Sequence, residues 1–189
     1  MKRLFQISAA FALVMVLTGA ALQAQKWSSD PVHSNFVFQV RHILTPFVGK
    51  FDRFQVDIVW NENDLSKSMV NATVDARSVN TGMADREKHL RSPEFFNAAQ
   101  NPEWSFASTG IQKTKDGYLA TGMLTANGKT NKLSVPFKFL GIMELEKGSK
   151  AGFSAEFSIK RSDYDLGGTM GGGIGDEVKL MVFLEMVAK

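Results

Sequence analysis

Three histidines, His33, His42 and His89, are the first candidates for chemistry in this sequence. Three imidazoles can hold a catalytic zinc ion when a fold brings them together. Here they fall at a strand start, a strand end and a predicted helix, with no close pair and no H-E-x-x-H motif. Ser34 beside His33 lacks the surroundings of a nucleophile elbow. We therefore predict no metal site and no catalytic residue.

Two glycine motifs resemble nucleotide-binding loops but lie in the wrong setting. In Gly128-Lys129-Thr130 the preceding glycine, Gly122, is one residue too far upstream for a phosphate-binding loop, and strands flank both sides. Asn127-Gly128 instead predicts a tight hairpin turn. The glycine-rich run from residue 167 to residue 175 is also flanked by strands. We predict a mobile loop there, at one end of the fold, with a gate over an opening as the alternative.

The segment from Thr81 to Phe96, TGMADREKHLRSPEFF, has a helical pattern, whereas most of the chain alternates. Arg86 and His89 are three residues apart in it, so one face of a helix presents both. Ser92 and Pro93 have the residue types of an N-cap and a first helical position, and they predict a second short helical turn. This segment is the single helical insertion that the sequence predicts.

Aromatic and small apolar residues alternate along the predicted strands, and this pattern has two interpretations. It fits either a packed core or an apolar tunnel, and alternation alone cannot separate them. Polar residues at the ends of the rows suit an amphiphile with its tail inside and its head group at the mouth. The rows that carry this argument are Phe36, Phe38, Val40 and His42; Phe54, Val56, Ile58 and Trp60; and Phe153, Ala155, Phe157, Ile159 and Arg161.

About eight strands follow one another with short connections, which sets the fold class. Strands joined by short turns are antiparallel, because parallel pairs need long crossover connections. Closure into a barrel removes the exposed edges of such a sheet. The sequence therefore predicts an all-β fold, an antiparallel barrel with a short helical insertion between the third and fourth strands. A barrel of this size is filled by side chains or holds one slender ligand.

The composition is that of one ordinary globular domain. The chain has 189 residues, of which 44% are hydrophobic and 22% are charged. It contains no cysteine, which excludes disulfides, zinc–thiolate sites and a thiol nucleophile. Removal of the first 24 residues would lower the formal net charge from +3 to +1, so no basic field for nucleic acid remains.

The first 24 residues predict a secretory signal peptide. Lys2 and Arg3 precede an uncharged apolar run, and small residues then approach Gln25. We predict cleavage after Ala24, with Ala21 as the alternative site, which leaves residues 25–189 as a single β-barrel domain. An uncleaved membrane anchor is the other interpretation of the apolar run.

An ordered set of short motifs, spread over essentially the whole mature chain, resembles the YceI-like family of exported bacterial proteins. The motif residues are Trp27, Asp30, His33-Ser34, Phe38, Val40, His42, Val48-Gly49-Lys50-Phe51, Thr81, Arg86, His89-Leu90, Phe95-Phe96, Pro102, Phe106, Gly122-Met123-Leu124-Thr125, Gly128, Thr130, Arg161, Asp163 and Tyr164.

The resemblance implies a lipocalin-like barrel that binds a polyisoprenoid, such as a quinone tail or a prenyl phosphate, without catalysing a reaction. It implies a periplasmic carrier that is soluble after signal cleavage, with no cofactor besides the bound lipid and no nucleic-acid partner, and it allows a homodimer. The expected ligand-binding residues are Phe36, Phe38, Val40, His42, Phe54, Arg86, His89, Phe106, Ala155, Phe157 and Arg161.

Two questions stay open at this point. Arg86 and His89 contact a lipid head group, or Arg86 is an ion-pair partner that fastens the helix to the barrel. The barrel holds a lipid, or it is an enzyme for a small amphiphile with His42 or His89 as its titratable group. The third alternative is an exported, stress-related domain with a solid core and no ligand.

Overall fold

The computed structural model describes residues 24–168 and 173–189, and most of these residues lie in β-strands. One α-helix, α1, spans Ala84–Arg91, and three short 3-10 turns span Leu65–Lys67, Ala76–Ser78 and Arg161–Tyr164. The strands are β1 Gln25–Ser29, β2 Asn35–His42, β3 Thr45–Phe51, β4 Phe54–Trp60, β5 Met69–Asp75, β6 Val79–Asn80, β7 Glu103–Thr114, β8 Gly117–Ala126, β9 Lys129–Leu145, β10 Gly148–Lys160 and β11 Ile174–Ala188.

The eleven strands make eight barrel strands, because three barrel strands are interrupted. β1 and β2 form the first: β1 pairs with residues 186–188 of β11, and β2 pairs with residues 174–183. β3 and β4 form the second, interrupted at Asp52 and Arg53. β5 and β6 form the third, interrupted by the Ala76–Ser78 turn. The remaining five strands each form one barrel strand.

The sheet closes on itself. Its order runs β1-β4-β5-β7-β8-β9-β10-β11, and β1 then pairs with β11. Every one of these pairings is antiparallel. The predicted fold class is confirmed, including the position of the helix between the third and fourth barrel strands.

Two local predictions have different outcomes. Asn127 and Gly128 adopt φ values of 46° and 73° between β8 and β9, so the predicted hairpin turn is confirmed. A short turn follows α1 at residues 93–96, with the Phe95 N–H donating to the Ser92 carbonyl, but the predicted N-cap role of the Ser92 side chain is wrong. Ser92 instead ends α1, donating its N–H to the His89 carbonyl, and its buried hydroxyl has no hydrogen-bond partner within the described ranges.

The buried side chains form two clusters. The helix-end cluster includes Phe95 and Phe96, which follow α1 in the chain, and Phe51, whose ring lies 5.9 Å from that of Phe96. The tryptophan-end cluster is built around Trp27, Trp60 and Met186, all of them buried. The Trp60 ring touches four other aromatic rings, those of Tyr118, Phe137, Phe139 and Phe153, with centroid separations of 4.8 to 5.9 Å. Aromatic packing therefore fills the barrel at this end.

The N-terminal signal peptide, predicted over residues 1–24, lies outside the described residues except for Ala24. Within residues 24–168 and 173–189, no helix is long and apolar enough to cross a bilayer.

Candidate functional site

The barrel encloses a cavity of about 430 Å³ with walls that are mainly apolar. This volume lies within the usual range of small-molecule sites, roughly 300–1,000 Å³. Inward-facing side chains such as Val40, Val135 and Phe157 line it and are only half-buried, because they face this space rather than packed neighbours. Of the two interpretations of the alternating pattern, the structure therefore supports the apolar tunnel rather than the packed core.

Ten of the eleven predicted ligand-binding residues line this cavity. They are Phe36, Phe38, Val40, His42, Arg86, His89, Phe106, Ala155, Phe157 and Arg161. Phe54 is placed differently: it packs against both apolar clusters, with its ring 5.8 Å from that of Phe36, and it lies outside the cavity lining. Phe54, the first residue of β4, keeps the predicted phase of Val56 and Ile58 and pairs with the cavity-lining Val74, but its ring is taken up by packing against neighbouring side chains.

The cavity is long and narrow. On β10 its lining runs from Phe153 to Ile159 and ends at Arg161. Phe153 and Arg161 are eight positions apart, roughly 26 Å along an extended chain, and the tilt of strands in a barrel makes the corresponding depth along the axis shorter. The apolar residues lie along this depth, and the basic residues lie at the helix end. Such a shape fits a slender chain with one polar end.

The opening lies between the tip of the β2–β3 hairpin and helix α1. His42 at the end of β2 and His89 on α1 are the exposed members of the cavity lining within the described ranges. His89 lies 3.1 Å from a Glu94 carboxylate oxygen through Nε2 and packs edge-on against the Phe95 ring. The two imidazoles therefore flank the entrance, one on each side.

Arg86 fastens the start of α1 to the end of the third barrel strand. Its Nε donates to the Thr81 hydroxyl at 3.0 Å, and its Nη2 donates to the Thr81 carbonyl at 2.7 Å. The guanidinium carbon lies 4.2 Å from the centre of the Phe47 ring, a cation–π contact across the opening. Within the described ranges Arg86 has no carboxylate within 4 Å, and its Nη1 has no partner. The ion-pair interpretation of Arg86 is therefore wrong, although the side chain is a fastener.

Glu87, the next residue of α1, also binds Thr81. Its carboxylate accepts a hydrogen bond from the Thr81 N–H at 2.7 Å, and this bond lowers the pKa of the carboxyl group. Neighbouring side chains of α1 thus satisfy the N–H, the hydroxyl and the carbonyl of Thr81. The cation of Arg86 is held at the opening as a result.

Arg161, just after the end of β10, connects the chain on another side of the entrance. Its Nε donates to the Gly175 carbonyl, and its Nη1 donates to the carbonyls of Leu166 and Gly168. These bonds tie the end of β10 to the segment that precedes β11. Of the glycine-rich run, the described residues 167, 168 and 173 lie outside the strands, whereas Ile174 and Gly175 already belong to β11.

The three histidines do not meet. Glu185, the neighbour of His33, is separated along β11 from Ile174, the partner of His42, by roughly 36 Å of strand. His33 lies within 4.8 Å of Asp30 and Glu185, a grouping that could ligate a metal. The Lys150 ammonium already bridges both carboxylates of this group. The hydrogen bond from His33 is the largest cause that lowers the pKa of Asp30 to about 2.

Several lining residues were not predicted as site residues. Phe47, Trp104, Leu133 and Val135 all line the cavity. Leu133 and Val135 continue an alternating row in β9, so their phase was a usable signal. Phe47 follows Pro46 near a turn, where alternation gives little guidance. Its role depends on Arg86, 39 positions along the chain, and no local pattern indicates that contact.

Comparison with known proteins gives one consistent family. The YceI-like domain family matches residues 27–186. Protein YceI from Salmonella agona (strain SL483) is 35% identical over 180 residues, which cover 94% of each chain.

Solved structures agree in fold. The crystal structure of Burkholderia cenocepacia BcnA matches with a TM-score of 0.74 at 23% identity, covering 85% of this chain and 99% of that one. A Saccharophagus degradans domain, described as polyisoprenoid-binding and implicated in plant cell wall breakdown, matches with a TM-score of 0.64 at 16% identity. It covers 86% of this chain and 98% of that domain. At these identities the likeness establishes the barrel fold.

Proposed function

Because the chain belongs to the YceI-like family, we propose that it is a periplasmic carrier that holds a polyisoprenoid or similar amphiphilic lipid inside its barrel. The observation that carries the proposal is the long apolar cavity with its basic and imidazole side chains gathered at the open end. The Saccharophagus degradans neighbour, described as polyisoprenoid-binding, supports the choice of ligand class. We propose binding and transport rather than catalysis.

The affinity would come mainly from the tail. Each CH₂ group removed from water contributes about 0.8 kcal/mol. Ordering the ligand opposes this gain, so the net affinity is smaller than the area suggests. The half-buried apolar side chains along the cavity offer the tail an apolar surface.

The head group would lie at the entrance. Arg86 presents Nη1 there, and His42 and His89 flank it. A charged hydrogen bond from a guanidinium is stronger than a neutral one, so a phosphate or another electron-rich head group suits this rim. Export to the periplasm follows from the signal peptide predicted over residues 1–24.

Mass spectrometry of the protein purified from its own host, without detergent, tests the proposal. We expect about one prenyl lipid per chain in native spectra, identified after solvent extraction. A barrel purified without any bound lipid would contradict the carrier function. Conversion of an added prenyl lipid into a product would indicate the enzymatic alternative.

A further inference from the structure

The tip of the β2–β3 hairpin carries exposed apolar side chains at the cavity entrance. Ile43 and Leu44 form the two-residue turn between β2 and β3, and they are 58% and 89% exposed. Leu44 is the most exposed large apolar side chain in the described part of the chain. His42 and Phe47, on either side of this turn, line the cavity. The exposed tip is therefore part of the rim.

The α1 side of the entrance has a similar feature. Met83 precedes the first residue of α1 and is 55% exposed. Arg86, three residues further on, stacks on Phe47 of the hairpin. Apolar side chains thus project from both elements that flank the entrance.

The residues of the hairpin turn do not suit its backbone. Ile43 has a φ of 53°, in the left-handed region that β-branched residues rarely adopt. Two-residue hairpin turns prefer glycine, asparagine or aspartate at such positions, and the β8–β9 turn of this chain uses Asn127 and Gly128. Strained residues concentrate at functional sites, where another requirement overrides local preference. At this tip, the requirement that takes precedence over the backbone preference is an exposed apolar surface.

The charge of the hairpin has one sign. No aspartate or glutamate occurs between Asp30 and Asp52, and Arg41 lies beside the tip, whereas Lys50, further along β3, pairs with Asp52 at 2.9 Å. Arg41 donates to the Ile43 carbonyl at 2.5 Å and has no carboxylate within 4 Å in the described ranges. An exposed apolar tip flanked by a cation is the combination that binds an anionic lipid surface.

We propose that this hairpin tip docks the protein on an anionic lipid bilayer, with Ile43 and Leu44 inserted among the lipids. The entrance would then face the membrane, and a prenyl chain would pass between bilayer and cavity without crossing water. The proposal rests on the proposed carrier function and adds the partner from which the ligand is loaded. Two inserted side chains give weak, reversible attachment, as a carrier that must leave the membrane requires.

Flotation with vesicles of phosphatidylcholine and phosphatidylglycerol tests the docking. We expect the double variant Ile43→Asn with Leu44→Asn to bind at least tenfold more weakly than the unchanged protein. Asparagine tolerates a positive φ, so the melting temperature should not fall. The matched control is Leu140→Asn with Met143→Asn on β9, two apolar side chains that are each 64% exposed. We expect this control to bind vesicles like the unchanged protein.

A second measurement separates docking from ligand binding. We expect the tip variant to bind a water-soluble fluorescent farnesyl phosphate analogue normally, and to extract a long-chain prenyl lipid from vesicles at least tenfold more slowly. Equal vesicle binding by the tip variant and the unchanged protein would overturn the docking proposal. So would an unchanged protein that ignores vesicles but forms a dimer that the tip variant cannot form, as measured by sedimentation. Failure of every variant to bind the analogue would instead overturn the carrier function.

Discussion

At the scale of single residues, Arg86 has two roles that one side chain can combine. Two of its nitrogens hold Thr81, and the plane of the guanidinium covers Phe47. Nη1 has no partner in the part of the chain that the structure describes, so a ligand could reach it. The two interpretations of the sequence, a fastener and a head-group contact, are therefore compatible, although the fastening uses hydrogen bonds rather than an ion pair.

We expect Arg86→Ala to weaken binding of a prenyl phosphate about tenfold more than binding of the corresponding prenol. The physical reason is that charged hydrogen bonds are the stronger kind, and tenfold corresponds to about 1.4 kcal/mol. Titration calorimetry with both lipids measures the difference. Lys88→Ala is the control, because Lys88 is an exposed cation on the same helix outside the cavity lining. Equal losses for both lipids, together with a large fall in melting temperature, would leave Arg86 only its structural role.

At the scale of elements, the interruptions of the barrel strands are stabilised by their own polar contacts. Asp75 ends β5, and its carboxylate accepts hydrogen bonds from the Arg77 N–H and guanidinium and from the Arg53 guanidinium. The bonds from Arg77 are the largest cause that lowers the pKa of Asp75 to about 2, and Arg53 contributes further. One carboxylate thus joins the start of β4 to the turn between β5 and β6.

We expect Asp75→Asn to lower the free energy of unfolding by about 1–2 kcal/mol at pH 7, because hydrogen bonds to a charged group are lost. Folding lowers this pKa, so the carboxylate stabilises the protein above its ordinary pKa and loses that effect as the pH falls toward about 2. The difference between the two proteins should therefore shrink between about pH 4 and pH 2 in urea unfolding.

Asp116→Asn is the control for this experiment, since Asp116 lies exposed in the turn between β7 and β8. It should leave the unfolding curve unchanged at every pH. A deficit of Asp75→Asn that stays constant from pH 7 to pH 2 would show that the charge of Asp75 does not stabilise the fold.

Strand β10 offers a direct test of the hollow interior. Ala155 lines the cavity between its register partners Phe137 and Val182. We expect Ala155→Trp to leave the stability of the lipid-free protein against denaturant nearly unchanged. We expect it to weaken the binding of a fluorescent prenyl analogue at least tenfold, which corresponds to about 1.4 kcal/mol. In a solid interior the same change would overpack the core at a cost of about 1–3 kcal/mol.

Ser158→Trp places the same side chain on the exposed face of β10 and serves as the control. It should alter neither stability nor binding. Strong destabilisation by Ala155→Trp would mean that this part of the barrel is packed solid in solution. Unchanged binding together with unchanged stability would mean that position 155 does not meet the ligand.

At the scale of the whole molecule, alternation predicted the barrel but not how it closes. The inward rows of β2 and β10 followed from period-two patterns, and both line the cavity. Strand β1 was not predicted, because Gln25–Ser29 is short, polar and without clear alternation. It is a strand because it fills the place between β4 and β11. That requirement arises only when the distant ends of the sheet meet, so no local pattern reveals it.

The same reason explains what was missed in the site. Of the residues at the entrance, His42 was found as the end of an alternating row, whereas Arg86 and His89 were expected from the resemblance to the family. Their partners were not, since Thr81 and Phe47 meet Arg86 through the folding of the helix over the barrel. Phe54 was predicted in the correct phase of β4, but it lies outside the cavity lining because its ring packs against Phe36 and both clusters, and alternation along one strand does not reveal such packing.

Strand β1 also bears on the export of the protein. Its first residue, Gln25, pairs with Trp60, and its last three residues pair with β11. Cleavage after Ala24 keeps every residue that closes the barrel, whereas cleavage a few residues later would remove part of the closing strand. We therefore expect N-terminal sequencing of the processed protein to begin at Gln25, or at Leu22 if Ala21 is the processed site. A variant with leucine at both alanines should accumulate uncleaved, because signal cleavage needs small residues there. An intact Met1 on a membrane-bound form of the unchanged protein would contradict cleavage and favour the anchor.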